Sequence, residues 1–495
     1  MRAAPPARIR VLREAPVRPE GGHVLHWMVG FRRPRWNFSL EHAASLADSL
    51  GKPLVVLEAL RVGYPWASDR LHQFILDGMR ANAGYFKNKN VYYFPYVEAA
   101  EGEGRGLLRA FAKDACVVVS DDYPTFFIPK MQEAAASQLK ARIELVDSNG
   151  LFPMRATDKV FSRAFDFRRH LQRELPQYLG ERPLADPVDG LAPIQKKTRE
   201  GLAALTGKKW HPATEDVLLG KTLATLPLDH DVPAADISGG FEAGEARVHE
   251  FLAGDIDRYG EERNHPDADV ASRLSPWLHF GHVSTHQIFD ELAKNEGWSA
   301  EQLSKKVNGA REGWWGMSST AESFLDELVT WREVGFNMCA HREDYDQYES
   351  LPAWARESLE LHESDEREHL YSLDELAASE TYDPIWNAAQ NELRETGRLQ
   401  NYLRMLWGKK ILEWSPTARD ALAVMIELNN KYALDGRDPN SYSGIFWVLG
   451  RYDRAWGPER PIFGKIRYMS SDNTKRKLRM REYLDRFGDQ GSLLA

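Results

Sequence analysis

The sequence predicts an α/β domain with a doubly wound parallel sheet, followed by a second domain that is all helix. Three observations predict this arrangement. Short apolar runs alternate with segments of helical spacing over the first third of the chain, strand patterns nearly vanish after Asp236, and Pro recurs between the two regions. Strands that alternate with helices are typical of parallel sheets covered on both faces.

Five apolar runs are the predicted strands, and three longer segments between them are the predicted helices. The strands are 24–28, 54–60, 91–97, 117–120 and 143–146, and the helices are 38–50, 71–86 and 126–139. The sequence after the first strand, from Met28 to Arg32, contains a single Gly and no Gly-rich phosphate fingerprint. A dinucleotide site in this sheet is therefore unsupported.

Start and stop signals divide the second domain into helices. Three dipeptides pair a capping residue with Pro at a predicted helix start: Asp383-Pro384, Ser415-Pro416 and Asp438-Pro439. Gly397 predicts the end of the first of these helices. Another helix is predicted over 400–414, and Ser415 with Pro416 closes it.

We predict four segments along the chain. The N-terminal stretch is rich in Pro and Arg and lacks an apolar core, so we expect a disordered tail and no secretory signal. After Ser148 the strand pattern weakens, which indicates a long connection between domains. The segments are a disordered tail over 1–22, an α/β domain over 23–150, a linker over 151–235 and a helical domain over 236–495.

Composition argues against several classes of protein. No apolar run in the 495 residues is long enough to span a bilayer, so we expect no membrane partner. Cys116 and Cys339 are the two cysteines, and they lie far apart in sequence. This argues against a disulfide framework and against a cysteine metal site. We expect a reducing compartment, no secretion and no bound metal.

One basic stretch stands out in a chain whose net charge is −9. Residues 451–486 hold eleven Lys or Arg and five acidic residues. A local basic face is enough to bind nucleic acid even when the whole protein is acidic. A solvated terminal helix has the same composition, so the stretch alone leaves both interpretations open.

The first chemical motif combines Tyr259 with the run from Ser272 to Ser275, which precedes Pro276. Ser275 is a predicted N-cap. Hydroxyl groups and free backbone N–H groups at a helix start suit a pyrophosphate. Ordinary helix caps use the same residues, and they are common.

The second motif lies on the predicted helix over 400–414. Arg404, Trp407 and Trp414 are three and seven residues apart, so they share one helix face. An Arg on an aromatic face can oppose a planar anionic ring system such as a reduced flavin. A Trp-rich packing face with a solvated Arg is the competing interpretation.

A third block, a dense polar loop over 428–440, suits either ligand contacts or helix capping.

Together these blocks resemble the photolyase and cryptochrome flavoprotein family, and specifically the class II cyclobutane pyrimidine dimer photolyases. The resemblance extends from His23 and is strongest from Glu322 to Tyr468, where long motifs keep their order and spacing. It implies an α/β N-terminal domain joined to an all-α FAD-binding domain, with FAD active in its fully reduced anionic form. The N-terminal domain matches less well, so an antenna pigment such as a deazaflavin or a folate is left open.

The resemblance also implies the cofactor site. Its residues would be Tyr259, Ser272, Arg273, Leu274, Ser275, Arg404, Asn429, Asp435, Gly436 and Arg437. Within this set Asp435 would pair with Arg404, and Asn429 would face the flavin N5.

Two further groups follow from the resemblance. The electron relay to the flavin would use Trp407 and Trp386, with Trp414 and Tyr371 as further members. Glu327 would lie beside the dimer, and the DNA- and dimer-binding residues would be Trp331, Asn401, Met405, Trp447 and Arg454. The segment 450–452 looks one residue shorter than is usual in the family, which concerns the loop around Arg454.

The expected function is light-driven repair of pyrimidine dimers in UV-damaged DNA, by a monomer in the cytoplasm near the nucleoid or in the nucleus. A cryptochrome-like photoreceptor on the same fold is the alternative, and a protein that merely holds FAD is a second one. The complete dimer-binding set, Glu327 included, favours repair over signalling. The presence of both Trp386 and Trp407 favours photochemistry over simple FAD binding.

Overall fold

The structure is a computed structural model that describes residues 2–207 and 209–488. These residues form two compact units. The first contains 2–157, 175–249 and 274–294, and the second contains 158–174, 250–273 and 295–488. The chain therefore passes from one unit to the other five times.

The first unit is built on a six-stranded sheet. Its strands are β1 (Ile9–Arg13), β2 (His23–Met28), β3 (Leu54–Leu60), β4 (Val91–Val97), β5 (Ala115–Asp121) and β6 (Ile143–Val146). Their order across the sheet is β1-β6-β5-β2-β3-β4. All neighbours are parallel except β1, which runs antiparallel to β6 at the edge. The predicted parallel α/β sheet is confirmed.

Residues of β2 alternate between two apolar cores. Val24 and Met28 pack with Phe38 on one face, whereas Leu25 and Trp27 pack with side chains of the other face. This alternation follows from the two-residue period of a strand. Because helices cover both faces, the strand is buried along its whole length, and its two histidines, His23 and His26, are buried with its four apolar residues.

The turn after β2 is occupied by a side chain. The Oδ2 atom of Asp121 accepts the backbone N–H groups of Val29, Gly30 and Phe31 at 2.8, 2.8 and 3.0 Å. In nucleotide-binding sheets such N–H groups hold a phosphate. Here a carboxylate takes that place, which agrees with the lack of a Gly-rich fingerprint.

The helices of the first unit lie between and after the strands. They are α1 (Phe38–Leu50), α2 (Asp69–Phe86), α3 (Leu107–Ala112), α4 (Ile128–Gln138), α6 (Lys196–Ala204), α7 (Glu215–Leu218), α8 (Phe241–Glu250), α10 (Ser275–His279) and α11 (Thr285–Asn295). The predicted helix over 38–50 agrees with α1 at both ends, because Asn37 caps its start and Gly51 ends it in a left-handed conformation.

The predicted disordered tail is wrong. Residues 9–13 form β1, in which Ile9 aligns with Val146 and Arg10 with Leu145. The preceding Arg8 is buried, and its guanidinium donates to the carbonyls of Gly150 and Leu151. The sequence Ile-Arg-Val-Leu-Arg is partly buried at every position, as suits an edge strand, but so short a run flanked by basic residues gives no clear strand signal without its partner.

The second unit is largely helical in its described residues, with isolated β-bridges in its loops. Its α-helices are α5 (Ala164–Glu174), α9 (Ile256–Glu262), α12 (Ser319–Leu325), α13 (Arg332–His341), α14 (Ala353–Leu361), α15 (Leu373–Ala378), α16 (Pro384–Thr396), α17 (Asn401–Trp414), α18 (Ala418–Tyr432), α19 (Pro439–Val448), α20 (Ser471–Lys477) and α21 (Arg481–Phe487). Two π-helical segments, Phe251–Asp255 and Asp326–Trp331, lead into α9 and α13. Such wide turns are rare, and they occur often at functional sites.

The predicted caps are confirmed in part. The Asp383 carboxylate accepts the N–H groups at the start of α16, and Gly397 ends that helix with φ 71°. Asp438 caps α19 in the same way. The start predicted at Ser415 is wrong, because Thr417 caps α18. Ser275 is also not an N-cap, since it is the first residue of a five-residue helix without a side-chain cap.

The predicted linker over 151–235 is likewise not one connection. Residues 158–174 belong to the second unit, whereas 175–249 belong to the first. Parts of the predicted helical domain, 236–249 and 274–294, also belong to the first unit. Composition indicates where strands stop, but it cannot show which core a helix joins.

In the part of the chain that the structure describes, no helix has the length and apolar character of a membrane span.

Candidate active site

A network of polar side chains joins α17, α18 and the loop before α19. The Arg404 guanidinium binds both carboxylate oxygens of Asp435, at 3.0 and 3.2 Å, and donates to Asn429 Oδ1 at 3.3 Å. The Asn429 amide nitrogen donates to Ser441 Oγ at 2.7 Å, which fixes the orientation of the amide. The expected pair of Arg404 and Asp435 is therefore present, and Asn429 lies beside it.

The loop that carries Asp435 is held by its backbone. Arg437 has a φ of 66°, and its N–H donates to the Asn430 side chain at 2.9 Å. A Cβ at Gly436 would lie 2.8 Å from the carbonyl oxygen of Asn429. Only Gly allows so close an approach, so the loop stays against α18 and Asp435 stays next to Arg404.

Three buried indole rings form a continuous row behind this network. The Trp386 and Trp407 rings are parallel within 3°, with centroids 6.5 Å apart, and Trp414 meets Trp386 edge to face at 5.5 Å. The Trp386 indole donates to the Trp407 carbonyl oxygen at 3.0 Å, and the Trp407 indole donates to Gln390 at 2.9 Å. Trp386 is fully buried, and Trp414 is 1% exposed.

The row continues toward solvent through tyrosines. The rings of Tyr371 and Tyr382 contact Trp414 with centroid distances of 5.3 and 5.7 Å. Tyr382 is 53% exposed. The Lys410 ammonium lies 5.3 Å from the Trp414 centroid. The predicted relay residues are thus joined by successive ring contacts, and Tyr382 is an addition to them.

Glu327 and Trp331 both lie on the π-helical segment Asp326–Trp331. The Arg263 guanidinium donates to the Glu327 carboxylate at 2.7 Å and lies 5.3 Å from the ring centroid of Tyr259. Burial raises the pKa of Glu327, and the nearby Arg263 cation opposes that rise. Glu327 and Trp331 are each only partly buried, so both keep an accessible face.

The predicted pyrophosphate segment is divided. Ser272 and Arg273 belong to the second unit, whereas Leu274 and Ser275 belong to the first. Arg273 has a φ of 58°, and its guanidinium pairs with Asp269. A second guanidinium, that of Arg398, lies 3.8 Å from the same carboxylate. The two arginines therefore lie near each other. The Asp269 carboxylate already occupies the Arg273 guanidinium, so it would compete with the phosphate that Arg273 is predicted to bind.

The side-chain amide of Gln400 joins Arg263 to the start of α17. Gln400 donates from Nε2 to the Arg263 carbonyl oxygen at 2.9 Å, and its Oε1 accepts the Leu403 N–H at the start of α17. The first turns of α17 carry Asn401, which is exposed, and Met405, which is half-buried. The ion pair of Arg263 with Glu327 and the residues of α17 are therefore parts of one region.

A second aromatic and basic cluster surrounds Trp447, which is half-buried on α19. The fully buried Lys409 donates to the Val448 carbonyl oxygen at 2.5 Å, and its ammonium lies 5.0 Å from the Trp447 centroid. Arg467 lies 5.5 Å from the same centroid. Burial lowers the pKa of Lys409 to about 7.

Arg454 belongs to the neighbourhood of the same cluster. Its exposed guanidinium lies 4.6 Å from the Trp456 centroid, and the Trp456 indole donates to Asp453 at 3.2 Å. Asp453 in turn accepts two hydrogen bonds from Arg467, at 2.8 and 3.2 Å. The basic stretch is thus folded around aromatic rings at this point, whereas further along it forms the helix α20, where Lys475, Arg476 and Lys477 are exposed.

The residues of the second unit suit a flavin cofactor in their chemistry. Arg404 presents a guanidinium beside an amide and a carboxylate, a donor set that suits a planar ring that carries negative charge. Gln390 is fully buried beside Trp407, and within the described residues its amide nitrogen has no acceptor. Because buried donors are usually paired, such an atom indicates that a bound group or water completes the site.

Sequence reasoning missed several members of these clusters. Gln390 lies four residues after Trp386 on one helix face, and this spacing could have indicated it. Lys409 stands out only as a charged residue two positions after a buried Trp. Tyr382, Arg467 and the ion pair of Arg263 carry no local signal, because their partners are distant in sequence.

Sequence relatives cover almost the whole chain. A deoxyribodipyrimidine photo-lyase of Methanothermobacter thermautotrophicus is 31% identical over 482 residues, which are 97% of this chain and 97% of the relative. The corresponding protein of Arabidopsis thaliana is 32% identical and covers 97% of this chain and 92% of the relative. That of Potorous tridactylus is 30% identical over 93% of this chain and 80% of the relative.

Solved structures show the same fold at lower identity. A bacterial class III photolyase from Agrobacterium tumefaciens matches with a TM-score of 0.64 and 16% identity, over 94% of this chain and 86% of the other. A cryptochrome from Synechocystis matches with a TM-score of 0.67 and 15% identity, over 94% and 88%. No family model matches the chain. The predicted fold is confirmed, and the relatives show that this chain belongs to the deoxyribodipyrimidine photo-lyase family.

Proposed function

We propose that this chain repairs cyclobutane pyrimidine dimers in DNA, driven by light, with FAD bound in its helical unit. FAD, when bound in its fully reduced form, supplies the electron that light transfers to the dimer. The observation that carries the proposal is that one helix, α17, contributes both to the polar network and to the row of indole rings. On α17, Arg404 joins the polar network with Asp435 and Asn429, and Trp407 begins the row of indole rings.

The polar network would bind the isoalloxazine ring and set its charge. A guanidinium within hydrogen-bonding reach favours the anionic form of a planar ring. Asp435 binds Arg404 through both oxygens, so the guanidinium is fixed before the cofactor binds. Asn429 is fixed by Ser441 and would face the ring with a defined amide orientation.

The dimer must leave the duplex to reach a cofactor among buried side chains. Photolyases are a standard example of enzymes that extrude the damaged bases into a pocket. Trp331 and Trp447 would offer flat surfaces for the extruded pyrimidines, and Met405 would complete the apolar wall. Glu327 would contact the dimer, positioned by its ion pair with Arg263. Arg454 and neighbouring cations would bind phosphates.

The indole row would serve a separate purpose. Trp407, Trp386 and Trp414 would pass electrons inward to restore reduced FAD from its oxidised form. Ring contacts of 5.5 to 6.5 Å between successive centroids support this role. Because repair begins from reduced FAD, the row is needed to prepare the enzyme and not for each repair event.

The test uses thymine oligomers that contain a defined dimer. FAD-loaded, chemically reduced protein should restore the thymine absorbance under blue light and should leave the substrate unchanged in the dark. Purified protein should release about one FAD per chain on denaturation. Colourless protein that cannot be loaded with FAD contradicts the proposal. Normal flavin photoreduction without any repair would instead support a photoreceptor on the same fold.

A further inference from the structure

The indole row ends at a residue that is buried from solvent. Trp414 is 1% exposed. Two tyrosine rings meet it, Tyr371 at 5.3 Å and an interplanar angle of 74°, and Tyr382 at 5.7 Å and 65°. These two rings therefore offer a path by which an electron from outside can reach Trp414.

The two tyrosines differ in exposure and in their hydroxyl environment. Tyr371 is half-buried, and its hydroxyl oxygen accepts the backbone N–H of Tyr382 at 3.1 Å. Tyr382 is 53% exposed, and its ring lies 4.2 Å from that of His369. Burial of part of the ring raises the pKa of Tyr382. Its phenol is therefore protonated at neutral pH, and its oxidation releases a proton.

The charge of Lys410 favours movement of the oxidised state outward. Its ammonium lies 5.3 Å from the centroid of Trp414 and 5.9 Å from that of Tyr382. A nearby cation disfavours a second positive charge on the Trp414 indole. A tyrosine that loses its proton on oxidation becomes a neutral radical and avoids this repulsion. Glu413 at 2.9 Å and Asp383 at 3.8 Å carry two negative charges beside this one cation and oppose its effect, so the exposure of Tyr382 and its loss of a proton are the main reasons for outward movement.

We propose that Tyr382 is a terminal electron donor of the relay, and the residue that an external reductant restores. The inference rests on the proposed function, because the oxidant is the Trp414 radical cation that photoexcited, oxidised flavin generates through Trp407 and Trp386. Tyr382 gives one electron to Trp414 and its phenol proton to water, which leaves a neutral tyrosyl radical. A small thiol then transfers a hydrogen atom to that radical, so the phenol is restored and the thiol becomes a thiyl radical.

The experiment compares Tyr382→Phe with Tyr371→Phe in the full chain loaded with oxidised FAD. Each variant loses one hydroxyl and keeps its ring, so the two are matched controls. Transient absorption after a blue flash reports tryptophan and tyrosyl radicals, and a nitroso spin trap followed by peptide mass spectrometry locates the radical. We expect Tyr382→Phe to lose most of the tyrosyl signal and to lengthen the lifetime of the tryptophan radical. The trapped adduct in the wild type should lie on Tyr382.

Other outcomes separate this inference from the proposed function. An unchanged tyrosyl yield in Tyr382→Phe, or an adduct confined to Tyr371, overturns the assignment of Tyr382. Trp386→Phe tests the relay itself, since it breaks the row upstream of both tyrosines. If Trp386→Phe photoreduces normally, the relay is wrong; if it does not photoreduce while Tyr382→Phe matches the wild type, only the terminal donor is wrong. Equal FAD content and melting temperatures establish that the variants are folded.

Discussion

Lys409 and Lys410 are neighbours on α17, and their ammonium groups have opposite environments. Lys409 is fully buried against Trp447, and burial lowers the pKa of its ammonium to about 7. Burial also acts to lower the pKa of Lys410, but the hydrogen bond to Glu413 and the negative charges of Glu413 and Asp383 together outweigh burial and raise that pKa. One residue step on a helix therefore changes the sign of the pKa shift, because successive residues face different parts of the core.

The stability of the protein should depend on the charge of Lys409. Because its folded-state pKa is about 7 and its ordinary value is 10.5, the unfolded chain binds more protons between these values. The free energy of unfolding therefore rises as pH increases from about 7 toward about 10.5. Lys409→Met should remove this rise and add roughly 2–4 kcal/mol of stability at neutral pH. Urea unfolding midpoints measured across this pH range check the prediction.

Lys410→Met is the matched control for that series. The raised pKa of Lys410 means that its stabilising contribution is complete below the unfolded value and is lost as pH rises through the folded value. This variant should be less stable than the wild type at neutral pH. If the unfolding midpoints of the wild type and of Lys409→Met change in parallel with pH, the pKa of Lys409 is not lowered by burial and the prediction is wrong.

Single substitutions should also separate preparation of the cofactor from repair. Trp407→Phe keeps an aromatic body but removes the readily oxidised indole, so photoreduction of oxidised FAD by blue light and a thiol should slow by roughly tenfold or more. After reduction with dithionite, the same variant should repair dimers at nearly the wild-type yield. Glu327→Ala should show the opposite pattern, with normal photoreduction and poorer repair.

This comparison has a decisive contrary result. If Trp407→Phe photoreduces normally but loses repair after chemical reduction, Trp407 belongs to the dimer pocket and not to the relay. Trp386→Phe is the parallel variant, because its ring is parallel to that of Trp407 and one step further from the polar network.

At the scale of elements, the π-helical segment Asp326–Trp331 determines where two candidate dimer residues lie. It interrupts what would otherwise be one helix from α12 to α13. A wider turn shifts the side chains that follow it relative to an ordinary helix. Asp326, at its start, forms two hydrogen bonds with Arg168 of α5 at 2.7 and 2.9 Å. This buried ion pair fastens the segment to its neighbour.

Breaking that ion pair should therefore destabilise the helical unit. Arg168→Met leaves the Asp326 carboxylate without its main partner and should cost about 3–5 kcal/mol. The exposed Arg311, 4.0 Å from Asp326, offers partial compensation at most. The double variant Arg168→Met with Asp326→Leu removes both charges and should recover most of the stability. Thermal unfolding of the single and double variants measures this, and a double variant no better than the single one contradicts it.

At the scale of the whole molecule, an acidic protein has to bind an acidic polymer. The net charge is −9, so long-range attraction to DNA must come from a local surface. Arg454 and Arg467 lie around Trp456 and Trp447, so the cations of this part of the basic stretch are held next to flat aromatic surfaces. Phosphate contacts and lesion contacts would then come from one surface.

Binding experiments should separate the contribution of phosphate contacts to DNA affinity from the contribution of lesion contacts. Affinity for dimer-containing duplex should exceed affinity for intact duplex, and both should fall as salt increases, because cations near Arg454 replace counterions on phosphates. Trp447→Ala should lose about 1–3 kcal/mol of the damage preference through loss of a stacking surface. Arg454→Gln should instead weaken both affinities and reduce the salt dependence. Equal Kd values of the wild type for damaged and intact DNA would contradict the proposed lesion pocket.

The sequence by itself determined the local features of this protein. Apolar runs of β2 to β6 and the capping pairs at Asp383 and Asp438 depend on neighbouring residues, so the pattern predicted them correctly. The indole rings of α17 were predicted to share a face for the same reason, and Trp407 and Trp414 both contact Trp386. Family motifs placed Arg404 and Asp435 together across the chain.

Only the tertiary structure decided the features that depend on distant partners. β1 is a strand because β6 pairs with it, and the segment 151–235 divides between two units because its helices join different cores. The ion pair of Arg263 with Glu327 and the contact of Tyr382 with Trp414 join residues that no periodic pattern connects. The low pKa of Lys409 has the same origin, because burial is a property of the packed molecule and not of the residue.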